Sequence, residues 1–163
     1  MRLSNPRKTL KFDDTDSRII RNLQRDARTN FASIAKECGV SVDTIIKRLE
    51  KLQRFGAVKG TTILINPRMT GYDGLASMEI NAEPIHVNEV VAQMRKILGV
   101  TFCTPTMGVH NIFAVAICPS VKELNSLRES VKLLPYVRDV KTSIWIEDVL
   151  LCPENFELDQ LKK

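Results

Sequence analysis

The sequence predicts an α+β protein, with an N-terminal winged helix-turn-helix domain and a C-terminal ferredoxin-like βαββαβ domain. Apolar residues recur at helical spacing through residues 13–55, whereas strand-like and helical patterns alternate from residue 74 onward. The net charge also differs between the two halves of the chain. Residues 1–62 contain 14 Lys and Arg against 7 Asp and Glu, and residues 63–163 contain 10 against 12. A basic module joined to a mildly acidic partner favours a nucleic-acid-binding head on a body with another role.

Capping residues and apolar spacing predict the first two helices. Residues 13–26 place Ile19 and Leu23 on one face and arginines on the other. Asn30 is expected to cap a short second helix, and Gly39 falls just past its end, where a left-handed backbone conformation is often needed. Two short helices and a glycine turn before a third helix are typical of the helix-turn-helix plan.

The third helix, residues 41–55, carries the predicted DNA-reading surface. Ser41 is a suitable N-cap. A stripe of five apolar residues is expected to face the core: Ile45, Ile46, Leu49, Leu52 and Phe55. Another face groups one hydroxyl with three cations: Thr44, Lys47, Arg48 and Lys51. Such a helix behind a turn suits the major groove of DNA, and the alternative is a solvated amphipathic helix.

The candidate DNA-binding residues are those able to contact base edges or phosphates: Ser41, Thr44, Lys47, Arg48, Lys51, Arg54, Lys59 and Arg28. We expect the first four at the groove and its flanking phosphates, and the others at phosphates. A strand over residues 58–65 is predicted to form the wing that carries Lys59. Arg48 could instead brace the helices through a salt bridge to Asp26 or Asp43, and Arg28 could also brace them.

The second half of the chain predicts the order β-α-β-β-α-β. Strands are expected at residues 75–82, 100–107, 112–118 and 137–149, with helices at 87–98 and 121–134. Ser120 and Glu123 match a capping box. The helices cover one face of the sheet, and apolar strand residues suggest that its other face is apolar too: Phe102, Phe113, Ile144 and Trp145. We expect a second copy to cover that face, giving a homodimer with two DNA-binding heads.

The predicted boundaries are a basic flexible arm (1–11), the helix-turn-helix domain (12–62), a linker strand (63–73), the ferredoxin-like domain (74–150) and a C-terminal tail (151–163). The chain has neither a signal-peptide pattern nor a stretch long and apolar enough to span a membrane. We therefore predict a cytoplasmic protein with no membrane partner.

Four widely spaced cysteines lack the close pairs that a tetrahedral zinc site usually requires: Cys38, Cys103, Cys118 and Cys152. We predict no bound metal and interpret the cysteines as free thiols of a reducing compartment. The alternative is one disulfide between subunits.

Several short motifs together resemble the Lrp/AsnC, or feast/famine, family of transcription regulators. The similar segments are Asp13-Asp14-Thr15-Asp16 with Ile19-Ile20, Asp26-Ala27-Arg28 with Ile34-Ala35, Gly39-Val40-Ser41 with Arg48 and Leu52, Gly56-Ala57-Val58-Lys59-Gly60, and Asn66-Pro67 with Gly71-Tyr72. Together, these segments and the elements that follow them extend the resemblance over about residues 12–149. The resemblance implies a regulator of double-stranded DNA without catalysis or cofactor, whose RAM-type body forms dimers and sometimes tetramers, octamers or larger assemblies.

The resemblance also implies a small-molecule effector site, usually for an amino acid. It would include the turn between the second and third body strands: Met107, Gly108, His110 and Asn111, with Thr142 nearby. Family members typically carry Asp where this chain has Asn111, and Asn cannot form a charge-assisted pair with an amine. The site could be empty, bind another metabolite, or sense pH through His110. The alternatives are that His110 is a plain exposed turn residue and that Thr142 is an ordinary strand residue.

Two further functions stay open at the level of sequence. Siroheme decarboxylases share this two-part architecture, but they need histidines to handle an anionic tetrapyrrole, and the chain has only His86 and His110. A DNA-architectural protein would bind with little sequence preference. No Ser-His-Asp, Cys-His or glycine-rich phosphate-binding pattern supports other catalysis.

Overall fold

The structure, a computed structural model, describes residues 11–147. The predicted tail, Cys152 and all but the last residue of the predicted arm lie outside this range. The chain divides into two compact units between Leu64 and Ile65. We call residues 11–64 the head and residues 65–147 the body.

The head contains three helices: α1 (Asp14–Arg25), α2 (Phe31–Cys38) and α3 (Val42–Arg54). The predicted side-chain caps of α2 and α3 are confirmed, because Asn30 accepts from the Ala32 amide and Ser41 from the Thr44 amide. Gly39 ends α2 with a φ of 67°, the left-handed conformation expected there. Each helix therefore begins or ends at a residue whose chemistry suits that position.

Five residues form the buried centre of the head: Ile19, Ile34, Ala35, Ile45 and Leu52. The predicted apolar stripe of α3 is wrong at two positions, since Ile46 is 38% exposed and Phe55 is 50% exposed. Successive helical residues point about 100° apart, so a helix that buries Ile45 turns Ile46 towards its edge. Among the described helices of the head, α1 and α2 pack against α3, and they cover a narrow stripe of it.

The predicted wing strand and linker strand do not form within the described chain. Residues 58–66 have no strand, and a short 3-10 helix, Arg68–Thr70, follows them. A strand requires a partner for its backbone hydrogen bonds, and none lies alongside these residues in the described chain. Ile63 is 78% and Leu64 is 74% exposed. The result is an exposed apolar segment without a strand partner in the described chain.

The body confirms the predicted ferredoxin-like order: β1 (Gly74–Ala82), α4 (Val87–Met94), β2 (Val100–Pro105), β3 (Ile112–Cys118), α5 (Val121–Lys132) and β4 (Val137–Ile144). The antiparallel sheet has the strand order β2-β3-β1-β4. The predicted α4, β2, α5 and β4 each extended beyond the observed C-terminal end, and residues 148–149 of the predicted β4 lie outside the described range. Ser120 caps α5 by accepting from the Glu123 amide, as expected.

Both body helices pack on one face of the sheet. The buried residues there include Met78, Ile80, Val90, Met94, Ile112, Leu124 and Val131. Leu98 and Val121 lie within the predicted helices but do not join this core, since they are 97% and 41% exposed. Gly74 lies against the start of α5, where a Cβ would be 2.5 Å from the Ser120 carbonyl oxygen. Only glycine permits this contact between backbones.

The uncovered face of the sheet is apolar around Phe102 and Phe113, as predicted, whereas β1 and β4 place the polar pair Glu79 and Lys141 on it. The rings of Phe102 and Phe113 meet edge to face at 6.3 Å, and Phe102 is 52% exposed. Trp145 follows β4, and its indole nitrogen donates to the Ser77 hydroxyl at 3.4 Å. Ile144 pairs in register with the buried Ala76 and therefore belongs to the helix-covered face.

Candidate nucleic-acid interface and effector site

The outer face of α3 carries charges of both signs. Lys47 Nζ lies 2.7 Å from Asp43 Oδ2, and both side chains are more than two-thirds exposed. Hydrogen bonding to Asp43 raises the pKa of Lys47. Arg54 and Glu50 are exposed on the same face. Asp43 had been expected only as a possible partner of Arg48, and Glu50 had not been singled out, although a carboxylate in the major groove can accept a hydrogen bond from cytosine.

The hydroxyls of Ser41 and Thr44 contact each other at the start of α3. Their oxygens are 2.9 Å apart, and Ser41 Oγ also accepts from the Thr44 amide at 3.2 Å. The cap therefore fixes the position of both hydroxyls. A base contact by either residue has to be compatible with this local pair.

Arg48 bridges α3 to α1. Its Nη1 atom lies 2.6 Å from Asp13 Oδ2 and 2.9 Å from Asp16 Oδ1, whereas Asp26 and Asp43 had been the expected partners. Hydrogen bonding to Asp13 raises the pKa of the Arg48 guanidinium. Burial alone would raise the pKa of Asp13, but hydrogen bonds from the Asp16 amide and Arg48 outweigh it and lower that pKa. The geometry corresponds to a brace between helices.

The remaining cations are less constrained. Arg28 is 93% exposed with Nε 3.6 Å from Asp26, and Arg54 lies over the Phe55 ring at 5.8 Å. Lys51 is half-buried, and Lys59 is exposed in the segment without a strand. Long cationic side chains in such places can reach phosphates without losing a fixed partner.

Two apolar residues at the edge of the α3 outer face were not predicted as functional. Val42 is 40% and Ile46 is 38% exposed, and they lie one helical turn apart. Apolar side chains in the major groove contact the thymine methyl group. Ile46 had been assigned to the buried stripe from its spacing, and Val42 had not been singled out.

The Asn111 side chain is hydrogen-bonded to the backbone at the end of the sheet. Its Oδ1 accepts from the Ala82 amide at 2.9 Å, and its Nδ2 donates to the Ala82 carbonyl at 2.7 Å. The side chain therefore extends the pairing between strands by one rung. This role differs from the predicted one, in which Asn111 would meet an effector. Gly108 and the 88% exposed Met107 lie in the same turn.

His110 is not the plain exposed turn residue considered above, because its side chain is only 12% exposed. Its Nδ1 lies 3.3 Å from Glu79 Oε2, and its Nε2 lies 3.9 Å from Asp139 Oδ2. These carboxylates belong to β1 and β4, so the linear sequence gave no signal of their meeting. Glu79 and His110 line a cavity of about 300 Å³ beside the turn.

Thr142 does not join this group. It pairs in register with Met78 and so faces the helices, on the side of the sheet opposite to Glu79. Its hydroxyl is buried without a hydrogen-bond partner among the described residues. The structure thus brings together Glu79, His110 and Asp139 and leaves Thr142 apart.

Three cysteines of the described chain are free thiols, Cys38, Cys103 and Cys118, and burial raises the pKa of each. Within residues 11–147, no group of three or more potential ligands could hold a metal ion. Over the same residues, no helix combines the length and apolar character needed to cross a membrane.

A helix-turn-helix head joined to an antiparallel α+β body defines a two-domain DNA-binding protein. Residues 12–53 match the family model of the AsnC-type helix-turn-helix domain, and residues 75–153 match that of the Lrp/AsnC ligand binding domain. The chain belongs to the Lrp/AsnC family and is a helix-turn-helix transcription regulator.

Individual relatives are similar along most of the chain. The regulatory protein AsnC of Haemophilus influenzae is 32% identical over 142 residues, covering 86% of this chain and 95% of that protein. The regulator LrpA of Pyrococcus horikoshii is 34% identical over 104 residues, covering 64% and 74%. The structure of Escherichia coli AsnC superimposes with a TM-score of 0.76 at 26% identity, covering 86% of this chain and 96% of that one.

Proposed function

We propose that this regulator binds specific DNA sequences by placing the exposed face of α3 in the major groove, and that it acts without catalysis. The observation that carries the proposal is the outer face of α3, where exposed cations, acids and apolar side chains lie together on a capped helix. Such a mixture offers a donor, an acceptor and a methyl-contacting group for base edges. A surface built only to coat DNA would need cations alone.

We assign different tasks to the residues of the head. Thr44 and Lys47, with Ser41 beside them, contact base edges and flanking phosphates. Lys51, Arg54, Lys59 and Arg28 contact phosphates. Arg48 acts mainly through its bridge to α1, which sets the orientation of α3.

Binding measured across a range of salt concentrations tests this division. The DNA sites are first selected from genomic fragments by the purified protein. Lys51→Met should weaken binding to selected and random DNA alike and reduce the salt slope by about 1. Thr44→Val should leave the slope unchanged and alter the preferred sequence. Lys132→Met in the body is the matched control and should change neither.

Two outcomes of this experiment contradict the proposal. If Thr44→Val and Lys51→Met reduce affinity equally on selected and random DNA, α3 is not the recognition helix. If the wild-type protein binds selected and random DNA within a few-fold of each other, the protein is architectural, because specific binding typically exceeds non-specific binding by at least about 10³.

The working form of the regulator is proposed to be a homodimer or a larger assembly. The support is the apolar uncovered sheet face around Phe102 and Phe113, together with the unpaired segment at Ile63 and Leu64. Both features leave surface that association would bury. Sedimentation of the wild type and of Phe113→Glu tests this assignment. The variant should shift towards monomer, and an unchanged mass would contradict the role of this face.

We further propose that the body binds a small-molecule effector and that the protein works in the cytoplasm. Support for the effector is the match to a family of ligand binding domains and the presence of cavities in the body. An effector alters DNA binding only if it binds one state of the protein better than another. DNA titrations with and without a metabolite library would reveal it.

A further inference from the structure

A second and larger cavity, of about 570 Å³, lies in the body at the end of the sheet away from the turn at residues 106–111. Its apolar wall includes Ile65, Pro67, Tyr72, Leu98, Ile117 and Leu127. Small-molecule sites in proteins typically have volumes of roughly 300–1,000 Å³ and predominantly apolar walls. The size and lining therefore match a site for a small molecule.

Gly99 keeps part of this volume empty. Its φ is 91°, and a Cβ there would lie 3.2 Å from the Ile117 carbonyl oxygen and 3.4 Å from Cys118 Sγ. Ile117 and Cys118 both line the cavity. A side chain at position 99 would thus be strained and would occupy space beside the wall.

The polar groups of the wall mostly accept hydrogen bonds. The Thr70 hydroxyl donates to the Pro67 carbonyl at 2.7 Å, and the Thr101 hydroxyl donates to the Val115 carbonyl at 3.3 Å. Each hydroxyl has thereby used its hydrogen and offers only lone pairs. The Tyr72 hydroxyl can donate or accept. A ligand that supplies N–H donors would match this arrangement.

Glu123 is the charged side chain of the wall, an exposed residue held by the N-cap residue of α5. Ser120 Oγ lies 3.3 Å from Glu123 Oε1 and accepts from the Glu123 amide at 3.2 Å. The wall, as the described residues define it, contains no Lys, Arg or His. Burial raises the pKa of the Cys118 thiol, which keeps that group neutral. The cavity thus combines one carboxylate with an apolar surface.

We propose that this cavity binds an apolar primary amine, with the hydrocarbon or aromatic body against the wall and the ammonium group at Glu123. The inference names the chemical class of an effector and rests on the proposed small-molecule binding by the body. A free amino acid fits poorly, because its carboxylate would meet hydrogen-bond acceptors and another carboxylate without a cation. The site is separate from the turn that contains His110.

Methyl NMR of the full-length protein tests this site, with 2-phenylethylamine as the ligand. The isoleucine δ1 methyl signals of Ile65 and Ile117 should shift and saturate. Ile19 in the head core and the exposed Ile85 should stay in place. The matched anion 3-phenylpropanoate has the same aromatic body and should bind at least about tenfold more weakly, because it replaces an attractive charge contact by a repulsive one.

A pair of variants on α5 isolates the charge. Glu123→Gln preserves the hydrogen bonding with Ser120 and removes the carboxylate, so affinity for the amine should fall about tenfold. Glu129 lies on the same helix and is hydrogen-bonded to Arg128 and Lys132. Because it is not part of the cavity wall, Glu129→Gln should leave amine binding unchanged. Ile117→Trp should fill the cavity and remove binding altogether.

Three results would overturn the inference. The Ile65 and Ile117 signals could remain unmoved by the amine. The amine and the anion could bind equally, with Glu123→Gln having no effect. The two signals could respond to protein dilution in place of amine, which would mean that a second copy fills the cavity. DNA binding by the same samples without ligand tests the regulator function separately. Failure of the amine inference would therefore not contradict the proposed DNA binding, and the reverse also holds.

Discussion

Arg48 Nη1 lies 2.9 Å from Oδ1 of Asp16, a residue only 1% exposed, and this contact joins the third helix of the head to the first. The same nitrogen donates to Asp13 Oδ2 at 2.6 Å. Asp13 and Asp16 also form the capping box of α1. One guanidinium therefore ties the orientation of α3 to the first turn of α1.

Replacing Arg48 with Met should impair DNA recognition without removing a phosphate contact. Asp16 would be left buried without its cation, and the free energy of unfolding should fall by about 2 kcal/mol. Affinity for selected DNA should fall more than affinity for random DNA, with the salt slope unchanged. Urea unfolding and salt-dependent titrations measure both effects. A slope reduced by about 1, as expected for Lys51→Met, would instead make Arg48 a phosphate ligand.

The stability of the head should decrease at acidic pH in a way that depends on Asp13. The pKa of this carboxyl is lower in the folded chain than its ordinary value of about 3.9, so the ionised form stabilises the fold. That contribution is present above the ordinary value and is lost as pH falls through it towards the lowered one. Urea titrations between pH 7 and pH 3 would follow the loss.

Asp13→Asn provides the control for the pH effect. Asn is as good an N-cap as Asp, so the variant removes the charge and keeps the cap. It should be less stable than the wild type at pH 7, and the difference should shrink on acidification. In the Arg48→Met background, Asp13→Asn should have a smaller effect. The absence of a difference at every pH value would show that Asp13 contributes through capping alone.

Ile46 and Leu52 should respond very differently to truncation. Leu52→Ala removes a completely buried side chain and should lower the free energy of unfolding by about 2–5 kcal/mol. Ile46→Ala affects a side chain that is 38% exposed and should cost less than about 1.5 kcal/mol. Chemical denaturation compares the two. Ile46→Ala should also reduce the preference for thymine at one position of the selected DNA, whereas equal destabilisation would place Ile46 in the core.

Asn111→Asp restores the residue typical of the family and should nevertheless destabilise this chain. The Asn111 amide group donates to the Ala82 carbonyl, and a carboxylate would face that oxygen with no hydrogen to offer. The expected cost is about 1–3 kcal/mol in thermal or urea unfolding at pH 7. Asn111→Ala gives the baseline for loss of both bonds. A stable Asn111→Asp protein would imply that the turn can rearrange.

Most of the fold was predictable because its signals are local. Asn30, Gly39, Ser41 and Ser120 have side-chain or backbone properties that mark helix ends, and the structure places each as expected. The alternation in β3 likewise gave its bounds, Ile112–Cys118, correctly. The wing strand at residues 58–65 failed because β-branched residues favour a strand but cannot supply its partner.

The candidate sites were less predictable because they depend on contacts between distant residues. Arg48 meets Asp13 across 35 positions, and His110 meets Glu79 from another strand. Spacing within a single helix could only suggest nearby partners such as Asp43. Asn111 illustrates the same limit, since the sequence identified an unusual residue but contained no sign that Ala82 would satisfy its amide.

The ion pair between Lys47 and Asp43 has a consequence for how DNA is searched. In the unbound chain the ammonium group is already engaged, so a phosphate or a base must compete with a tethered carboxylate for it. If a phosphate of random DNA binds Lys47, Asp43 loses its ion pair and its carboxylate is repelled by the phosphates. A matching site can accept both residues, for example through a cytosine amine that donates to Asp43. If α3 enters the major groove as proposed, the pair would disfavour DNA sites that satisfy only one of the two residues.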